Sequence, residues 1–410
     1  MKVWIKLLIG MVLGIAFAFF APENPRLLET LIWLEQFTLR VGRYAVIPVL
    51  VFSLTIGIYE LRQDGRFWPL VLKNFLLIAG ISVFVIFAGV FTTLVFPPSR
   101  IPILAEEQIE MISLDIAGNI MEIFPFNMFA VFSGDGVYLF PICVFAFFFG
   151  MGLSYDKSYS KPVISLVDSL SRIFYHIASF FIEILGFLVI VLSACWTIQF
   201  REILKAEIFF DLILLLGIVG AVLGLVILPL FLYFLKPKVN PWLVLYGYLG
   251  PAIAAFFSGD IHFSLPVLLR HAKENFGAQR RSNAVSLTLF STFCRCGSAM
   301  VAAVAFIVII KSYSSLGIST AEVFVISVRA LAISFLLARH PGNGAYTALA
   351  VLCIGYGHGF EAGYLILKPM AFFLIAVGTF LDVMIASFGT YVMARISGYI
   401  ADGKTASHFI

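Results

Sequence analysis

The predicted fold class is an all-α polytopic membrane protein: eight transmembrane helices plus two re-entrant helical hairpins, arranged as inverted repeats. Three observations predict it. Of 410 residues, 61% are hydrophobic and 12% charged, and the mean hydropathy is +1.03. Average soluble domains are ~45–50% apolar and ~25% charged. Apolar runs long enough to cross a ~30 Å hydrocarbon core recur along the chain, without the alternation that barrel strands show. Finally, two apolar segments are interrupted at their centres by Gly, Pro and charged residues.

The composition excludes several function classes. The 23 acidic and 27 basic residues cannot coat a 45.4 kDa globule, so a cytosolic enzyme, a nucleic-acid binder and a disordered regulator are ruled out. Lipid is the partner of most of the surface, and the 44 Phe residues suit it. A net charge of +4 implies no polyanionic partner. The five Cys residues are an odd number and lie in or near apolar runs, which is core usage rather than a disulfide framework. Lys2 and Lys6 followed by Leu7–Phe20 resemble a signal peptide, but no A-x-A site closes the run, so a retained first helix is expected.

Apolar runs lie near 3–21, 43–61, 68–97, 137–154, 173–199 and 208–235, then 250–268, 285–310, 323–338, 345–356 and 364–394. The positive-inside rule orients them. Lys2 and Lys6 place the N-terminus inside, and Arg395 and Lys404 place the C-terminus there. Arg62, Arg66, Lys157, Lys161, Arg172, Lys236 and Lys238 mark inner loops, as does a basic loop with Arg270, Lys273, Arg280 and Arg281. Glu106, Glu107, Glu110 and Asp115 mark an outer one. Arg26, Arg40 and Arg43 then fall on the first outer loop, against the rule, although Glu23, Glu29 and Glu35 accompany them.

Two segments fail as ordinary spans. Ala252–Pro266 is broken at Ser258-Gly259-Asp260, and Ala330–Leu352 at Pro341, Gly342 and Gly344. Broken backbone at membrane depth is tolerated only where protein buries it or a cavity wets it. Each segment therefore reads as a hairpin followed by a full helix, 285–310 and 364–394. The alternative is a pair of kinked structural helices. Gly/Pro-interrupted segments in corresponding places point to a transporter's binding site.

Charges inside apolar spans are costly and default to function. Asp260 and His262 at the first tip can hold a cation or relay a proton, or simply satisfy a hydrated turn. Arg295, in Cys294-Arg295-Cys296-Gly297-Ser298, must face a carboxylate, an anionic substrate or carbonyls. The C-x-C pair is not read as a metal site, because residues at i and i+2 of a helix point to different faces. Arg339 and His340 precede Pro341-Gly342-Asn343-Gly344, where free N–H groups suit a carboxylate, unless Arg339 lies on the outer water face. Asp382 has no other charge near it in its helix. It can take an amine or a proton, or pair with Arg295.

The order of six spans, hairpin, helix, hairpin and helix resembles the glutamate/aspartate (dicarboxylate/amino acid:cation) symporter family over nearly the whole chain. Pro48-Val49-Leu50-Val51-Phe52-Ser53 resembles the family's "PLVFS", and Asn127-Met128-Phe129 through Phe149-Gly150 its "NxF…FxxFG". Leu265-Pro266-Val267, Ala272-Lys273-Glu274-Asn275 and Gly277 match the stretch after its first tip. Pro341-Gly342-Asn343-Gly344 matches its "PGAG", and Leu381-Asp382 its last-helix Asp. The chain also departs from the pattern. "NMDGT" reads Cys294-Arg295-Cys296-Gly297-Ser298, so two sodium ligands become thiols, which suit hard Na⁺ poorly. The Arg, Asn and Asp that follow the last-helix Asp are here Ile385, Gly389 and Met393.

The resemblance implies a secondary transporter for a small amino acid or dicarboxylate, a homotrimer in the plasma membrane (the inner membrane in a bacterium), with no cofactor. Asp382 is expected to bind the α-amine, and the backbone at Pro341, Gly342 and Gly344 with the first tip, Asp260 and His262, the α-carboxylate. Arg295, Ser298, Arg339 and His340 are expected to complete the pocket. Residues 1–249 are expected to hold the scaffold, 250–398 the transport core and 399–410 a cytoplasmic tail. Coupling is expected through protons or through the fixed charge of Arg295, with Na⁺ the less suited ion. Rival readings are an anion channel lined by Arg295 and Arg339, and a homologue that binds without transporting. An intramembrane enzyme would need a motif such as H-E-x-x-H, which is lacking.

Overall fold

A computed structural model describes residues 2–22, 24–102, 115–134, 136–205, 207–235, 240–313, 318–400 and 409–410. The expectations placed on Glu23, Glu106, Glu107, Glu110, Lys236, Lys238 and Lys404 lie outside these residues. Among the described residues the regular structure is helical, apart from one antiparallel bridge between Ala278 and Ile400.

Seventeen α-helices follow in order among the described residues. They are α1 (Val3–Phe20), α2 (Pro25–Arg43), α3 (Val46–Gln63), α4 (Phe67–Val95), α5 (Ile116–Ile123), α6 (Phe140–Leu153) and α7 (Lys157–Lys205). Next come α8 (Phe210–Ala221), which continues through a π turn at Val222–Ile227 into α9 (Leu228–Phe234), then α10 (Pro241–Gly247), α11 (Leu249–Ser258) and α12 (Ile261–Phe276). The last are α13 (Arg280–Phe293), α14 (Cys296–Tyr313), α15 (Thr320–Ser334), α16 (Gly344–Tyr356) and α17 (Ala371–Ile396). Seven of the described helical stretches are long and apolar enough to span a membrane, or eight if the bent pair α10–α11 forms one span. The expected fourth span is α6, only 14 residues long. At 1.5 Å per residue this is about 21 Å, short of the hydrocarbon thickness. The chain before it folds instead as a 3₁₀ turn at Met128–Phe132.

The segment expected as the first outer loop is a helix. Asn24 caps α2 by accepting from the Arg26 N–H, and Pro25 opens it. Its charges mask an amphipathic stripe that packs on α7. The basic loop expected around 270–281 is also largely helical, and its charges are matched. Arg270 pairs with Glu183 and Glu274, Arg280 with Glu60 and Asp168, and Arg281 with Asp64. Excess basic residues, read as inner-face markers, here bind α12 and α13 to α3 and α7.

Helix α1 lies along α7 through small residues. A Cβ on Gly10 would come within 2.5 Å of the Gly186 carbonyl oxygen. That is the close backbone approach by which apolar helices associate in lipid, where water exclusion gives no driving force. Lys6 at this seam pairs with Glu183. A second group of contacts joins α4 to α14, and α8 to α17. The largely buried helices α14 and α17 form the centre of this second group.

Candidate functional site at the hairpin tips

The two interrupted segments are helix–turn–helix pairs. Helix α11 ends at Gly259, whose φ of +61° a side chain would strain. Asp260 then caps α12 by accepting from the His262 N–H at 2.8 Å. Helix α15 starts in a capping box of Ser319 and Glu322 and gives way to a 3₁₀ turn at Leu337–Arg339, the Pro341–Asn343 turn and α16. The tips meet, with the Ile261 N–H donating to the Pro341 carbonyl at 3.3 Å.

The helix expected to run unbroken from 285 to 310 is in fact two, α13 and α14, parted at Cys294 and Arg295. The break exposes the first N–H groups of α14, which a helix cannot satisfy internally. Asp382, on α17, satisfies them. Its Oδ1 accepts from the N–H of Gly297 at 2.8 Å and of Ser298 at 3.1 Å. Its Oδ2 accepts from Ser298 Oγ at 2.6 Å and Arg295 Nε at 2.8 Å. Arg295 and Asp382 are both fully buried. Arg295 Nη2 also donates to the carbonyls of Pro341 at 3.2 Å and His340 at 3.4 Å, tying the break to the second tip. The same break brings Cys294 Sγ and Cys296 Sγ to 3.8 Å, correcting the expectation that they face apart, which assumed an unbroken helix. No cluster of three or more His, Cys, Asp or Glu side chains suited to a metal occurs among the described residues.

Glycines set the close packing here. A Cβ on Gly344 would sit 2.5 Å from Arg295 Nη2, so the second tip reaches the guanidinium only with Gly there. A Cβ on Gly342 would come 3.2 Å from an Arg43 nitrogen.

The structure thus gathers Arg295, Ser298 and Asp382 with the backbone of His340, Pro341 and Gly344, and brings Asp260 and His262 against that tip from the other hairpin. Arg339 goes elsewhere. Its guanidinium pairs with Glu122 on α5, 5.8 Å from the Tyr138 ring centre. It borders a cleft of about 400 Å³ with Glu122, Tyr138 and His340. Arg339 and Arg295 thus have different carboxylate partners. The pair is part exposed, and such pairs contribute about 0–1 kcal/mol. Arg339→Gln is expected to leave ligand affinity within about twofold and the melting temperature nearly unchanged, as measured by a ligand-binding and thermal-melt series.

Two residues of the site went unrecognised in the sequence. Arg43 donates its Nε to Asp260 Oδ2 from the end of α2. Gly42 beside it leaves room for the Phe263 ring, bringing α2 onto the tip. Thr379 donates to the Gly259 carbonyl at 3.0 Å and so holds the first tip to α17. Its place one turn before Asp382, on the same helix face, was the signal available.

Fold and site together define a polytopic helical membrane protein whose two helical hairpins meet beside a buried ion pair. The chain belongs to the sodium:dicarboxylate symporter family, whose sequence model matches residues 3–396. It is similar to the rat excitatory amino acid transporter 1, at 30% identity over 135 residues, or 33% of this chain and 25% of that protein. Human neutral amino acid transporter B(0) is 30% identical over 132 residues, 32% of this chain and 24% of that one. The proton/sodium-glutamate symport protein of Bacillus subtilis is 23% identical over 257 residues, 57% of this chain and 59% of that one. The matches thus span less than two thirds of the length of each of these relatives.

Proposed function

We propose that the protein is a secondary active transporter, not an enzyme, moving a small carboxylate-bearing solute of the amino acid or dicarboxylate class across the plasma membrane by alternating access. The observation that carries this reading is the meeting of both hairpin tips at the Ile261–Pro341 hydrogen bond, beside the buried Arg295–Asp382 pair. Broken helices that converge in this way offer polar backbone to a solute at membrane depth. The names of the relatives support the solute class.

The moving core comprises 250–398 together with α4, α8 and α9, which pack on α14 and α17. The scaffold comprises α1, α2, α3, α6 and α7 and carries the contacts of a homotrimer. Both termini face the cytoplasm. Arg295 stands where the family's pattern places cation ligands nearby, so its fixed charge replaces a bound cation and coupling runs on protons rather than Na⁺.

The test is thermal stabilisation of the purified full-length protein by common amino acids and C4 dicarboxylates, in Na⁺, in K⁺ and at two pH values. A ligand that binds the folded state raises the melting temperature by mass action. A shift with one solute that needs no Na⁺ supports the reading. A strict Na⁺ requirement overturns the role given to Arg295, and no shift with any member of either class overturns the solute class.

A further inference from the structure

The carboxylates around the tips are already taken. A carboxylate offers about four lone-pair directions. Asp382 receives four donors, from Arg295, Ser298 Oγ and the N–H groups of Gly297 and Ser298. Asp260 receives Arg43 on one oxygen and the His262 N–H on the other. An ammonium group arriving between the tips therefore meets Asp382 fully occupied and Asp260 already charge-paired with Arg43. Ring and guanidinium nitrogens, in contrast, are left over. Arg295 Nη1 and His262 Nδ1 are both buried and have no hydrogen-bond partner among the described residues. His262 also lies within coulombic reach of Asp260, Arg43 and Arg295. A buried guanidinium N–H without an acceptor is costly, and an acceptor-bearing ligand relieves that cost.

We propose that the site takes a carboxylate that carries no ammonium group, that Arg295 Nη1 is the donor that recognises it, and that Asp382 is a positioning residue that holds Arg295 rather than a substrate amine. This deepens the transporter reading and rests on it. The shared geometry explains the division of labour. Asp382 grips Arg295 through Nε, the second tip takes Nη2, and Nη1 alone remains for a ligand. A charge-assisted hydrogen bond from a guanidinium nitrogen held in place by its other contacts suits a carboxylate oxygen.

The experiment compares ligand pairs that differ only in the amino group: succinate against aspartate, and propionate against alanine. Affinities are measured by calorimetry on the purified full-length protein, with Asp382→Asn and Arg295→Lys as variants. In the wild type, the amine-free member of at least one pair is expected to bind at least tenfold tighter. Asp382→Asn is expected to weaken both members of that pair while keeping their order, because an amide oxygen still accepts from Arg295 Nε. Arg295→Lys is expected to weaken the amine-free ligand by about tenfold or more and to collapse the preference. Tighter binding of the amino acid in both pairs, or loss of amino-acid binding alone in Asp382→Asn, overturns the inference and leaves the transporter reading standing. No binding of any of the four probes overturns the inference, and the thermal-stabilisation series then decides the solute class separately.

Discussion

Arg295→Met is expected to abolish solute binding and to destabilise the folded protein by about 3–5 kcal/mol, the range for removing one partner of a buried ion pair. The size follows from the surroundings. Both side chains are fully buried, so Asp382 would keep its charge with only neutral donors, and the second tip would lose its link to the helix break. Adding Asp382→Asn to Arg295→Met is expected to recover part of the stability, because it removes the stranded charge, but none of the binding. Thermal melts and calorimetry on both proteins separate the two effects. Unchanged binding in well-folded Arg295→Met would refute the role given to the guanidinium.

Gly297→Ala is expected to have the next largest effect. The new methyl would lie 2.5 Å from Leu381 Cβ, 2.8 Å from the Gly378 carbonyl oxygen and 2.9 Å from the Asp382 nitrogen. Two of the three are backbone atoms, so no flexible side chain can give way. Overpacking a tight core costs about 1–3 kcal/mol. Here it also pushes α14 from α17 and lengthens the hydrogen bonds that Asp382 makes to residues 297 and 298. The expected result is a lower melting temperature, with ligand affinity reduced by tenfold or more in the protein that remains folded. By contrast, Gly355→Ala, where a Cβ meets open space, is expected to leave both quantities unchanged.

The features legible in the sequence are those that local chemistry decides. Gly259 followed by Asp260 marks a left-handed helix end and a new N-cap, and that turn lies where the interruption in the apolar run places it. Pro341 through Gly344 marks the second turn by its Pro and Gly residues alone, without a left-handed residue or a side-chain cap. Asp382 and Arg295 stand out because lipid-level positions rarely keep a charge. What stays hidden is decided by partners distant in sequence. The break at Cys294 has no Pro and no interrupting Gly before it, and is held by a carboxylate 88 residues further on. Helix α2 reads as a loop because its charges dilute its apolar stripe, and Arg43 finds Asp260 across 217 residues. Arg339 is a warning of another kind. Its neighbours in sequence belong to the tip, yet its partner, Glu122, lies on a helix of only eight residues.

The pair between Arg43 and Asp260 has an electrical consequence. Arg43 belongs to α2, whereas Asp260 belongs to the first hairpin. If the proposed core slides along the proposed scaffold, that arginine would stay behind and Asp260 would move without its counter-charge, while Arg295 and Asp382 would travel together and cancel. Each uncompensated elementary charge that crosses the membrane voltage involves about 2.3 kcal/mol per 100 mV. The empty core is then an anion to the field unless a proton or another cation boards at Asp260. Its return stroke should register as a voltage-dependent transient current that Asp260→Asn removes.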